Sequence, residues 1–401
     1  MRALHVIPAV APRYGGPSSS IVQMCRALRD VDVSTLVATT DADGDGVLDV
    51  PLGTTTTWDG TDAIFFRRQW SEAFKYSPAL GAWLERHVAT FDVVHIHGPL
   101  SYASLAASRA ASRHHVPFIV RPLGSLDAWS LRQKANKKRL LLPFVTRMLG
   151  RAAAVHCTSI EELDDVSATF GLRNGVVIPL GIALALLADN LATDDERRGD
   201  RYVLALSRLH PVKNLESLID GFADLADANE RRGWRLLIGG SGDDAYASSL
   251  DRAIARRKAS GYVTRIGWTD GDAKRALVRG ASIFALPSHH ENFGVGLVEA
   301  LAAGVPAIVG RGVHLSSDIE RAGAGWVVDG TPQSIRAALE IALSDESVRR
   351  ARGDAARRFA ARFAWPQVAH QLIDLYRQVS PQSRHATVHQ PTESAAIGAG
   401  R

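Results

Sequence analysis

The sequence predicts an α/β fold of two Rossmann-like, doubly wound parallel-sheet domains facing each other across a cleft. Three observations carry this. The chain has 401 residues, too many for one ordinary core and suited to two. Short apolar runs alternate with helical patterns, the repeating block of a parallel sheet. The strand–loop–helix–strand layout of the first half returns after residue 200.

Composition narrows the class. A hydrophobic content of 46% with 22% charged residues is globular. The net charge of +5 and pI near 9.3 fit phosphorylated ligands or an anionic membrane surface, and no nucleic-acid partner is expected. Two distant cysteines, Cys25 and Cys157, exclude a disulfide framework or a cysteine metal cluster. The apolar start is short and holds His5 and Pro8, so it reads as a strand and not as a signal peptide. No run of 18 apolar residues occurs. A cytoplasmic enzyme is expected, with peripheral attachment to the inner face of a membrane left open.

In the first half, residues 3–7 read as the first strand. The turn Tyr14-Gly15-Gly16-Pro17-Ser18 follows, then a helix over 18–29 and a strand over 33–38. A strand, a Gly-Gly turn and a helix N-terminus let backbone amides approach an anion; the same glycines also suit a plain turn. Residues 41–57 are a turn-rich loop, readable as solvated surface or as one wall of the cleft. A strand over 63–66 and a helix over 78–90 lead to FDVVHIHG at 91–98. There His95 and His97 alternate and share one sheet face. Such a pair can hold a metal, but no third ligand is recognisable nearby. A hydrogen-bonded structural role suits His95. His97, at the strand's carboxyl end, is a candidate to face the cleft.

Residues 117–120 form another strand. Segment 130–150 places Arg132, Lys134, Lys137, Lys138 and Arg139 before a block of leucines. It fits a solvated helix face over a core-facing stripe, or contact of 132–139 with an anionic membrane. Pro143 interrupts that helix. Strands over 153–158 and 178–180 complete a domain of residues 1–185. The cluster Asp194-Asp195-Glu196-Arg197-Arg198 marks 186–200 as linker.

The second domain spans 201–365. Strands over 202–207 and 235–238 flank a helix over 214–227. Asn214 is a good N-cap. Lys213 then sits at the positive end of a helix, which is unfavourable unless an anion joins it. With Arg208 nearby, the loop predicts a diphosphate. Gly240, Gly242 and Ala245 nominally fit the G-x-G-x-x-A dinucleotide fingerprint, but the acid expected about 20 residues later is missing. The strand over 262–266 ends at Gly267-Trp268, where Trp268 suits stacking or burial. A late strand over 324–328 and helices over 334–342 and 346–363 precede a terminal helix, 366–380. Residues 381–401 are polar, small and aperiodic, and are expected to be disordered.

The most informative stretch is PSHHENFGVGLVEALAAGVPAIV, residues 287–309. A buried strand, 283–286, leads into a loop, a helix from near Gly294 and a strand over 306–309. Gly304 fits just past the helix end. Glu291 and Glu299 lie eight residues apart. Glu299 is the only charged residue between Asn292 and Gly310, so it needs a partner or water. Glu291 lies where open α/β sheets bind ligands. Read plainly, the two are a solvated loop glutamate and a carboxylate favoured early in a helix.

Glu-x7-Glu within ENFGVGLVEALAAGVPAI resembles the signature of the retaining GT-B glycosyltransferases of family 4 (glycosyl transferases group 1), which include many bacterial polysaccharide enzymes. The resemblance spans residues 1–380. It implies transfer of a sugar from a UDP- or GDP-sugar to a glycan or lipid-linked acceptor, in surface polysaccharide or glycoconjugate synthesis, with no cofactor and no metal. It implies that Arg208 and Lys213 grip the donor diphosphate, that Glu291 holds hydroxyls of the transferred sugar, and that Glu299 accepts from both ribose hydroxyls. The amides of Asn292, Phe293 and Gly294 would touch the donor sugar, with Gly15 and Gly16 opposite its sugar-phosphate. The Gly240–Gly242 turn would line the nucleotide pocket and Trp268 would lie against the base. The terminal helix would cross back to the first domain. Several relatives place a histidine after the strand equivalent to 117–120; this chain has none between His115 and His156. Other readings are an epimerase of the same fold, a dinucleotide-dependent oxidoreductase and a non-catalytic binder. The presence of both glutamates and both cations argues against the last.

Overall fold

The computed structural model describes residues 1–132, 139–183, 201–225 and 233–380. The expected linker, the expected tail and three of the basic residues, Lys134, Lys137 and Lys138, lie outside these.

The first lobe is built on eight strands. In spatial order they are Gly175–Val177, Ala154–Cys157, Phe118–Arg121, Val93–His97, Arg2–Ala9, Ser34–Thr40, Thr61–Phe66 and Thr55–Trp58. All pair in parallel except the last, which runs antiparallel to Thr61–Phe66. Strand Val93–His97 is buried along its whole length, as a parallel strand covered by helices on both faces must be. The chain starts mid-sheet and fills one side, laying down the edge strand Thr55–Trp58 before its inner neighbour Thr61–Phe66, then returns and works outward the other way. The direction reverses between Arg2–Ala9 and Val93–His97.

The second lobe repeats this with six parallel strands: Val263–Gly267, Trp234–Gly239, Arg201–Leu206, Ile283–Leu286, Ala307–Gly310 and Gly325–Val328. In chain order that is 3-2-1-4-5-6, the doubly wound dinucleotide-fold arrangement. Its binding crevice opens where the order reverses, beyond the carboxyl ends of Arg201–Leu206 and Ile283–Leu286.

Two local expectations change. The loop at 41–57 runs into strand Thr55–Trp58, whose threonines favour the sheet edge. The last strand of the first lobe is Gly175–Val177, not 178–180. The break expected at Pro143 is present: Leu140 and Leu141 form a turn, and Pro143 sits in the first turn of the next helix, Leu142–Arg151, where its missing N–H costs no hydrogen bond.

The lobes are joined by paired crossings. Ile182 and Ala364 bridge, with Ile182 N donating to Phe363 O at 2.8 Å. A side chain at Gly181 would run into the Trp365 ring, so the two crossings need glycine there. Helix Trp365–Val379 then packs on the first lobe. Its Val368, Leu372 and Tyr376 join Ile21, Met24 and Leu28 in one core, and Trp365 Nε1 donates to Gln23 Oε1 at 2.8 Å.

Candidate active site

The second lobe's crevice gathers most of the sequence-predicted residues. Strand Arg201–Leu206 runs into Arg208 and Lys213; strand Ile283–Leu286 runs into Glu291. Main-chain bonds lace these loops together: His289 N donates to Val212 O at 2.8 Å, and Leu209 N to Ser241 O at 2.9 Å. Asn214 adopts φ 55° at the head of helix Leu215–Asp224, but its side chain does not cap that helix. It bonds instead to Pro287 O at 3.2 Å and Gly330 O at 2.7 Å, tying three loops. The helix amide of Leu215 is taken by Tyr246 Oη at 3.2 Å, so this N-terminus is less open to an anion than the sequence suggested.

Lys213 and Glu291 meet directly. Lys213 Nζ pairs with Glu291 Oε2, their side chains 10% and 21% exposed. Arg208 is exposed at the mouth of the same loop, and its guanidinium has no protein partner among the described residues. The main chain of Glu291 is fixed on both sides, its N–H to Gly312 O and its carbonyl from His314 N, each at 3.0 Å.

Past Glu291 the chain turns at Gly294, φ 75°, and enters helix Val295–Ala302. No side chain caps this helix. A Cβ on Gly294 would press on Leu286 and Glu291, and the conformation itself favours glycine. Opposite lies the Gly15–Gly16 turn, which starts helix Gly16–Arg29, also without a capping side chain. A Cβ on Gly16 would stand 3.7 Å from Val295 Cγ2. Two uncapped helix N-termini, one from each lobe, thus meet beside Lys213 and Arg208. Partial positive charge concentrates there, suited to a phosphorylated ligand.

Glu299 lies one turn past Val295 on the same helix face. Its partner is one the sequence did not reveal: Lys274 Nζ, from helix Gly271–Gly280, stands 2.5 Å from Oε2, an ion pair without hydrogen-bond geometry. Trp268 is 59% exposed in the loop after Val263–Gly267, with Nε1 3.3 Å from Asp270 Oδ2. Phe293 is 2% exposed and packs edge-on against Phe363, so only its main chain can serve a ligand.

Gly240 and Gly242 have a packing reason. A Cβ at either would collide with the carbonyl of Ser207 or Leu209. The helix that follows is capped by Asp243, whose carboxylate accepts from Ala245 N at 2.8 Å and Tyr246 N at 3.2 Å. That capping removes the free amides a dinucleotide pyrophosphate would need.

His97 is not placed as expected. It is 1% exposed, inside a cluster with His5, His95 and His156. Strand register explains this: His5 pairs with His95, and His97 with Arg121, so all face one way. His156 Nε2 donates to Ile178 O at 2.7 Å, so its Nδ1 accepts from His95 Nε2 at 3.2 Å. His95 Nδ1 in turn accepts from Tyr376 Oη at 2.8 Å. His5 Nδ1 and His97 Nε2 share a hydrogen bond of 3.1 Å.

Burial, with the Arg121 guanidinium beside it, pushes His5 down to about 3. Burial first, and the neighbouring imidazoles and Arg121 next, hold His95, His97 and His156 well below the usual value. The third ligand that seemed missing near His95 and His97 is His5, and the ligand nitrogens lie within 4.8 Å of one another. Most of those nitrogens are already hydrogen-bonded, and the Arg121 cation opposes a second positive charge.

Residues the sequence did not flag connect the lobes at this point. His290 Nε2 lies 3.0 Å from Asp127 Oδ2, and Trp129 stacks on the imidazole at 5.0 Å. Asn292 Nδ2 donates to Thr158 Oγ1 at 3.0 Å. His290 and Asn292 flank Glu291 in the sequence, but their partners Asp127 and Thr158, 163 and 134 residues away, were not visible in it.

Two facing Rossmann-like lobes with charged loops at the second lobe's switch point define a GT-B-fold, nucleotide-sugar glycosyltransferase. Residues 190–359 match the family described as Glycosyl transferases group 1, and residues 15–181 match the Glycosyl transferase 4-like domain. The chain belongs to the group 1 glycosyltransferases. It is 30% identical to the D-inositol 3-phosphate glycosyltransferase of Corynebacterium glutamicum (strain R), over 74% of each chain. To the GDP-mannose:cellobiosyl-diphosphopolyprenol alpha-mannosyltransferase of Komagataeibacter xylinus it is 27% identical, over 94% of this chain and 93% of that one. Its fold matches Anabaena Alr3699/HepE, solved with UDP and glucose, with a TM-score of 0.74 at 18% identity, covering 93% of this chain and 98% of that one.

Proposed function

We propose that this glycosyltransferase moves a sugar from a UDP- or GDP-sugar with retention of configuration and without a metal. The observation that carries this is the convergence of Arg208, Lys213, Glu291 and two uncapped helix N-termini on one crevice. The bond from the anomeric carbon to the phosphate oxygen breaks, and negative charge gathers on the leaving diphosphate. Arg208, Lys213 and the amides at Gly294–Gly296 stabilise that charge, the task a metal ion would otherwise perform. Donor binding draws Lys213 toward the phosphate and frees Glu291 for the sugar hydroxyls and the positive charge developing on the ring. Glu299 accepts from the ribose hydroxyls. The acceptor oxygen attacks from the face the phosphate leaves, and its proton passes to a phosphate oxygen. No enzyme nucleophile takes part.

The acceptor reading is a glycan or lipid-linked sugar. The two curated relatives act, by their names, on a phosphorylated inositol and a diphosphopolyprenol glycan. Peripheral contact with an anionic membrane is supported by Leu140 and Phe144, 76% and 60% exposed. Arg139, Arg147 and Arg151 lie close by in sequence, and no acidic residue occurs from 128 to 160. No helix among the described residues is long and apolar enough to cross a membrane.

The test is a panel of UDP- and GDP-sugars with chelator present, the product's anomeric configuration being read by NMR. Inverted product, turnover only with added metal, or a glycosyl adduct trapped on Glu291 would overturn the mechanism. Sedimentation with anionic but not zwitterionic vesicles, lost in Phe144→Asp, is expected for the membrane contact.

A further inference from the structure

We infer that Asp127 and His290 couple closure of the two lobes to the placement of Glu291, acting as positioning residues. The inference rests on the role given to Glu291 above.

Glu291 is held within its own lobe by Gly312, His314 and Lys213. The side chains on either side of it leave that lobe. His290 reaches Asp127 at 3.0 Å and Asn292 reaches Thr158 at 3.0 Å. Glu291 is therefore bracketed by two bonds to the opposite lobe. Asp127 is a firm anchor: its side chain is fully buried, and it also accepts from Ser130 N at 2.6 Å and Ser130 Oγ at 3.0 Å. Trp129 covers one face of the His290 ring, and His314 approaches it edge-on at 5.3 Å. The crossing is tight elsewhere too, since a Cβ on Gly124 would stand 2.7 Å from Asn292 Cβ.

The fold explains why this place was chosen. The loop after strand Phe118–Arg121 and the loop after strand Ile283–Leu286 lie at the carboxyl ends of their sheets. These ends face each other across the crevice. Both cations assigned to the donor diphosphate, Arg208 and Lys213, stand on loops of the second lobe, and the first lobe adds only the Gly15–Gly16 turn, so the diphosphate keeps its charged partners whether or not the lobes are locked. What the lock adds is the final position of Glu291 against a sugar that must also meet an acceptor held by the first lobe. A misplacement of about 1 Å at such a group can cost on the order of a hundredfold in rate.

The coupling predicts a split between rate and binding. His290→Ala and Asp127→Ala should each lower kcat at least tenfold with donor KM within twofold of wild type. The double variant should be no slower than either single, because both remove the same contact. His290→Gln, which keeps a donor for Asp127, should recover part of kcat. Calorimetric binding of UDP or GDP, whichever the wild type binds, should be retained in every variant, which also reports that each is folded. Wild-type kcat in His290→Ala, effects that multiply in the double variant, or a donor KM that rises in step with lost kcat would each overturn the inference. Glu291→Ala separates the two readings. If it abolishes transfer while His290→Ala turns over normally, the active-site assignment stands and the coupling fails. If Glu291→Ala turns over normally, the assignment itself fails.

Discussion

The central strands of the first lobe and the loops that follow those of the second each gather a cluster of polar groups, and the two clusters are placed in opposite ways. In the first lobe, His5, His95, His97, His156 and Arg121 are at most 1% exposed. Burial keeps the imidazoles neutral, and most of their nitrogens are bonded to one another, to Tyr376 or to Ile178. In the second lobe, Arg208 is exposed and the Lys213–Glu291 pair is only partly covered. Groups within reach of water can exchange a protein partner for a ligand. The same fold thus yields one polar centre closed to water and another open to it. The difference lies in water access as well as in residue type.

The comparison can be broken most forcefully with acid. In the folded first lobe the four histidines stay neutral, His5 down to about 3. In the unfolded chain they titrate near 6.5. Below that value the unfolded state binds more protons, so stability is complete above it and falls as pH drops. Each neutral histidine contributes about 1.4 kcal/mol per pH unit in that window. Thermal melts should therefore be flat from pH 8 to 7 and fall steeply from 6.5 to 5. A melting temperature unchanged at pH 5 would mean that these imidazoles are not held neutral.

The second lobe should respond in rate instead. Arg208→Ala or Lys213→Ala should lower kcat tenfold or more, about 1.4 kcal/mol each, and Arg208→Ala should leave the melting temperature unchanged. Unaltered turnover in both would remove the diphosphate assignment. A smaller effect is expected for Glu299→Ala, several-fold in donor KM with kcat nearly kept, because it would grip the ribose and not the reacting bond. Steady-state kinetics with the preferred donor would show it; an unchanged KM would leave Glu299 as no more than the partner of Lys274.

How much was legible in the sequence follows the same division. The crevice loops were readable because their signals are local: a cation beside a helix start, a glycine at a turn, a carboxylate in an apolar helix. The histidine centre was only half readable. Alternation put His95 and His97 on one face, but the contributions of His5 and His156 depend on which strands lie side by side, and that is set by the whole sheet. His97 was misjudged because a strand's carboxyl end can lie under a helix as easily as in a cleft. The Asp127–His290 and Glu299–Lys274 contacts were invisible for the same reason. Gly240 and Gly242 were expected to line a nucleotide pocket, and the close approach they allow here is to the Ser207–Leu209 loop.

The smallest expected effect gives the sharpest form of the comparison. Tyr376→Phe removes one hydroxyl from the terminal helix and leaves His95 Nδ1 a buried acceptor without its donor. A lost bond of this kind costs about 1–2 kcal/mol, read as a modest fall in melting temperature. The ring still fills its place in the core between the terminal helix and the first helix, so packing is kept. Because the histidine centre serves stability alone on this view, kcat and donor KM should not move. If Tyr376→Phe slowed turnover while melting like the wild type, the first lobe's polar centre would belong to the catalytic apparatus, and the division between the lobes would have to be redrawn.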